Sequence, residues 1–118
     1  MGVPQLYGKR YSRAITYAEE THYTQVKALA LTGLAELYRK QENFETAFSH
    51  HSESIELLEK IGTKCDLAEG YYQQGLTYQK MGNAQNSQEN FDKAIQLFSE
   101  IEASKQVEKV RQAMESGK

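Results

Sequence analysis

Cysteine and proline are almost missing from this chain, net charge is small, and no long apolar run occurs. Each scarcity excludes something. Cys65 is the only cysteine in 118 residues, so no internal disulfide can form, in keeping with a reducing compartment. A formal net charge of −2 removes the long-range attraction that draws a protein to nucleic acid. No apolar stretch approaches the roughly 20 residues a membrane-spanning helix needs. The opening M-G-V-P-Q-L-Y lacks the apolar core of a signal peptide. Its Gly2 is not followed by the Ser or Thr a myristoylation site wants near Leu6 or Tyr7. A cytoplasmic protein with neither nucleic-acid nor membrane partners is therefore expected. A single proline, amid many Ala, Glu, Gln, Lys and Leu, favours an all-helical chain.

Chemistry-bearing residues are equally sparse. His50 and His51 are helical neighbours, pointing about 100° apart, and cannot chelate one ion as an i, i+4 pair would. Four metal ligands at a recognisable spacing are missing, so both histidines read as solvated surface residues. His22 and Cys65 read as turn residues, and nothing beside Cys65 in the sequence marks it as a nucleophile. The Gly82-Asn83 pair is a turn rather than part of a phosphate loop. No catalytic, metal or cofactor site is expected; the chain reads as non-enzymatic.

What is present is a repeat. From Ala68 to Ile101, residues Tyr71, Gly75 and Tyr78, then Phe91, Ala94, Ile95 and Phe98, recur at steps of three and four on either side of Gly82-Asn83. That pattern predicts a helical hairpin whose two apolar stripes cover each other. A glycine inside a helix costs about 0.5–1 kcal/mol relative to alanine, so Gly75 implies a close approach of the facing helix. Moving the sequence by 40 residues aligns Ala28, Tyr38, Lys40, Asn43, Ile55, Leu57 and Ile61 with Ala68, Tyr78, Lys80, Asn83, Ile95, Leu97 and Ile101. A further shift sets Tyr11, Ala14 and Ile15 against His51, Ser54 and Ile55, and these against Phe91, Ala94 and Ile95.

These residues resemble the tetratricopeptide repeat, with Tyr71, Gly75 and Tyr78 in the first-helix slots and Phe91 and Ala94 in the second. Gln74 stands where the family has Leu, Ser87 where it has Ala, and the terminal Pro is absent. The 40-residue period is longer than the common 34. The resemblance implies an all-α solenoid of antiparallel helix hairpins, about six helices forming one domain over residues 1–118. Its parts would be a lone second helix at 4–22, begun by Pro4, full repeats at 25–61 and 66–101, and a capping helix at 103–115. Tyr78 and Leu34 would be buried, with Tyr38 and Tyr78 in equivalent inward sites and Ala35 equivalent to Gly75.

In this family first helices line a concave groove that accepts an extended peptide or partner helix. The corresponding residues are Leu29, Thr32, Glu36, Arg39 and Lys40, then Glu69, Tyr72, Gln73, Leu76, Gln79 and Lys80. Tyr72 and Leu76, four apart and away from the Tyr71 stripe, are the expected anchors. Glu36 sits where carboxylate-clamping members carry a favourable donor and would repel such a ligand, although Arg39, Lys40 and Lys80 favour an acidic one. The expected function is a protein-interaction module, an adaptor or scaffold. The alternative is self-association, a homodimer in which Tyr7 and Tyr11 of one terminal helix meet Val107, Val110 and Met114 of the other.

Overall fold

A computed structural model of the protein describes the backbone of residues 5–117 and the side chains of residues 19–117. Pro4 and the side chains of Tyr7 and Tyr11 lie outside them. Five helices follow in order: α1 (Gln5–Lys40), α2 (Phe44–Ile61), α3 (Lys64–Met81), α4 (Ala84–Glu100) and α5 (Ser104–Ser116). Among the described residues there is no strand, and no helix is long and apolar enough to cross a membrane. Helix α1 packs on α2 and α3 on α4; α2 also packs on α3, α4 on α5, and α1 touches α3. The arrangement is an α-solenoid.

The helix ends follow from the repeat. Asn43 and Asn83, identical under the 40-residue shift, are the N-caps of α2 and α4, and their side chains accept from Thr46 N and Asn86 N. Three helices stop with the same pair of backbone bonds: Asn43 N to Tyr38 O, Asn83 N to Tyr78 O and Ala103 N to Phe98 O, each 2.9 Å, close the outer loop. Glu42, Gly82 and Glu102 donate the inner one. This geometry requires a left-handed residue. Gly82 supplies it at φ 92°, whereas Glu42 and Glu102 adopt it at φ 62° and 57° at roughly 1–2 kcal/mol of strain apiece; Gly62, at φ 73°, ends α2 with a single bond to the Leu58 carbonyl.

The helical run from Gln5 to Lys40 corrects one expectation. No turn separates residues 22 and 25, so the anticipated lone helix and the first helix of the next repeat are one, and the described residues hold five helices where about six were expected. His22 lies inside α1, and Cys65 is an exposed residue in the first turn of α3, neither of them in a turn.

The two hairpins are held differently. Between α3 and α4, Phe91, Ala94 and Phe98 are buried with Ala68, Val107 and Val110. A Cβ on Gly75 would lie 2.7 Å from the Phe91 ring, so this glycine is needed for the close approach. Both departures from the family pattern are satisfied across the hairpin: Gln74 Nε2 donates to Asn90 Oδ1 at 2.8 Å and Ser87 Oγ to the Gly75 carbonyl at 3.0 Å. Between α1 and α2, His51 and Leu58 stand where α4 has Phe91 and Phe98, and a hydroxyl stands where it has Ala94. Ser54 Oγ donates to the Ala28 carbonyl at 2.7 Å and lies 2.7 Å from Thr32 Oγ1, both side chains being buried. Tyr38 and Tyr78 are each half-buried, but against different partners: Tyr38 stacks on His50 at 5.5 Å and Tyr78 leans on Phe48 at 4.4 Å. Leu34, expected inside, is 41% exposed.

Candidate interaction faces

Helices α1, α3 and α5 form one face, and most of the expected groove residues on it are already engaged, with one another, with the core or with α5. The Arg39 guanidinium donates to the Gln73 carbonyl at 3.3 Å and to Gln73 Oε1 at 2.8 Å. Gln73 Nε2 donates to Glu69 Oε1 at 3.0 Å, and Lys109 Nζ lies 3.2 Å from Glu69 Oε2. A polar chain therefore crosses all three helices. Burial lowers the Arg39 pKa, and the Glu36 carboxylate at 3.8 Å works against that shift. Glu36 also pairs with Lys40 at 3.5 Å.

The anchor reading of Tyr72 and Leu76 needs correcting. Both pack against the core cluster, Tyr72 lying 6.0 Å from the Phe91 ring with the Lys109 ammonium 4.6 Å from its centroid. Lys109 of α5 caps the Tyr72 ring, which is why that ring is stable without a ligand, while Leu76 stays partly exposed. Thr32 is buried toward α2 and does not reach the face. Gln79 Nε2 donates to the Ala113 carbonyl at 2.8 Å. Leu29, Lys40 and Lys80 are exposed.

What remains open is a depression lined by Arg39, Leu76, Gln79, Lys80, Ser116 and Gly117, drawn from all three helices. Leu76 is its large apolar lining residue, two lining residues are cations, the buried Arg39 and the exposed Lys80, and Lys80 has no ion pair among the described residues. The contribution of α5 went unread in the sequence. The same 40-residue step that pairs α1 with α3 sets Lys109 and Ser116 beyond Glu69 and Leu76, which was the available signal.

The terminal helices differ from expectation as well. Val107 and Val110 are buried in the chain's own core and Met114 packs on it, so α5 has no free apolar face to offer a second molecule. Helix α1 is the opposite case. Tyr23, Val26, Leu29, Leu34 and Leu37 are exposed by 68, 51, 43, 41 and 49%.

One histidine also moved. His51, expected on the surface, is 1% exposed, at the position Phe91 holds in the next hairpin. Thr77 Oγ1 donates to the Gln73 carbonyl at 3.1 Å, so the 2.8 Å contact with His51 is donated by the ring Nε2–H. Nδ1 has no partner among the described residues. Burial, reinforced by the charges of Arg39 and His50, lowers the His51 pKa from 6.5 to about 4.

Comparison with known proteins adds one finding. A family model described as tetratricopeptide repeat matches residues 26–100. No curated protein and no solved structure matches the chain.

Proposed function

This chain belongs to the tetratricopeptide repeat family, whose repeats generally mediate protein–protein contact, and on that premise we propose that it is an adaptor binding an extended acidic peptide on the α1–α3–α5 face. The depression between Arg39, Leu76 and Lys80 carries the reading. A partly exposed leucine beside two cations suits a peptide presenting one aliphatic side chain next to a carboxylate. Arg39, tied to the backbone of α3, supplies a positive charge held in place before binding, whereas Lys80 adds a mobile one. The binding is non-catalytic, and a cytoplasmic scaffold is the setting this reading assumes.

Anisotropy titrations with short labelled peptides, one set Glu/Leu-rich and one Lys/Leu-rich, test it. The acidic set binds more tightly, weakens with added salt, and loses about tenfold on Lys80→Glu, a change on the order of 1.4 kcal/mol. Indifference to peptide charge would remove this face from consideration. The alternative of terminal-helix self-association loses its α5 half, because Val107 and Val110 are occupied at home.

A further inference from the structure

The exposed apolar stripe of α1 acquires a meaning when it is laid on α3. Four positions of α3 are covered by the preceding hairpin. Asp66 accepts from Gln25 at 2.8 Å, Gly70 faces Ile55 and Leu58, Gln73 holds Arg39, and Thr77 meets His51. Shifted back by 40 residues these are Val26, Ala30, Gly33 and Leu37. All four are exposed, and a Cβ on Gly33 would have nothing within 4 Å. Where α3 is polar or small at these positions, α1 is wholly apolar or small. The face is thus built like a covered inter-hairpin surface, and without a cover it would hold Val26 and Leu37 in water for no gain.

The same shift specifies the cover. Helix α2 meets α3 through His51, Ile55 and Leu58. Forty residues earlier stand Tyr11, Ile15 and Ala18, within the first half of α1. Carrying the α2–α3 pairing back by the same amount puts Ala30 beside Ile15 and Ala18, and Leu37 beside Tyr11. Residues 5–22 of one chain cannot do this for themselves, because the helix runs unbroken through Thr21–Thr24 and carries them along its own axis, away from the stripe. Nor does α2 reach them. It pairs with α1 in antiparallel fashion, Tyr38 against His50 and Lys27 against Glu53, and is only 18 residues to α1's 36.

We infer that a second copy of this chain docks on the Val26–Leu37 face, its residues 5–22 taking the place that α2 holds against α3. The two α1 helices lie antiparallel and each covers the other, a closed two-fold pair. The axis passes beside Tyr23 and Thr24, which puts the most exposed large apolar side chain of the described residues at the centre. The interface lies away from the α1–α3–α5 depression and does not depend on what binds there.

Light scattering on the full chain reads the pair directly. The expected mass is that of two chains, falling to one in Leu37→Glu with helical circular dichroism unchanged. A one-chain mass for the unaltered protein at high concentration, or a two-chain mass for the well-folded variant, would overturn the inference. Cross-linking gives a second readout independent of that variant's folding. With Cys65→Ser in place, Ala18→Cys combined with Ala30→Cys closes on oxidation into a covalent two-chain species on denaturing gels. Closure within one chain, or no closure at all, counts against a second copy as the occupant. Leu37→Glu retains the acidic-peptide affinity of the unaltered chain, so failure of the groove reading and failure of this one are separable.

Discussion

The two hairpins share one backbone plan and 40-residue register, yet their interiors are built from different chemistry. Where α3–α4 has Gly75, Phe91, Ala94 and Phe98, α1–α2 has Ala35, His51, Ser54 and Leu58, every one of them buried. The second hairpin is held by a ring pressed against a glycine. In the first, a histidine reaching into the next repeat stands at the Phe91 position and a serine bonded to the Ala28 carbonyl at the Ala94 position. A helical repeat therefore fixes where side chains are buried and leaves open how each burial is compensated. The aromatic solution yields more apolar burial, while the polar one makes stability depend on protonation.

The sharpest way to break the comparison is Phe91→Ala, expected to cost about 3–5 kcal/mol and measured by urea denaturation. His51→Ala removes less apolar surface and is expected to cost clearly less. Equal losses would mean that the polar hairpin is no less dependent on its side chain at this position than the aromatic one.

Next in size is pH. The unfolded chain protonates His51 near the ordinary 6.5, while the folded chain resists until about 4. Between these values the unfolded state binds more protons, so stability falls as pH falls, by about 3 kcal/mol in all. His51→Phe, which installs the residue of the second hairpin, should remove that slope. Thr77 keeps its bond to the Gln73 carbonyl. An unchanged slope in denaturation midpoints measured from pH 7 to pH 4 would assign the effect elsewhere.

The smallest contrast exchanges one methyl group. Gly75→Ala forces a Cβ to within 2.7 Å of the Phe91 ring and should destabilise by about 1–3 kcal/mol despite alanine's better helix propensity. Ala35→Gly should cost only about 0.5–1 kcal/mol, the ordinary penalty for glycine in a helix. Thermal midpoints of the two variants rank them.

These residues also mark how far the sequence could be read. The hairpins and their boundaries were legible because Asn43 and Asn83 cap at one register and Gly75 had no use except close packing. The turn at 22–25 was inferred from the period alone. Thr21-His22-Tyr23-Thr24 contains no glycine or proline to enforce it, and the helix simply continues. A His-His pair carries no local sign of burial, and the inward position of His51 is signalled only by its alignment with Phe91. Tyr72 and Leu76 looked uncovered since α5 was treated as a cap rather than a third helix of the same face.

Arg39 and Gln25 have one more consequence. Each reaches from α1 to α3, one to Gln73 and the other to Asp66. They sit 14 residues apart on α1, about 21 Å, and hold residues 7 apart on α3, about 10 Å, so the two helices are tied at two separate points, one in the first turn of α3 and one at its middle. Two separated rivets prevent rocking where a single one would permit it. A ligand arriving between these helices meets walls whose spacing was set during folding, and little configurational freedom remains to be surrendered on contact.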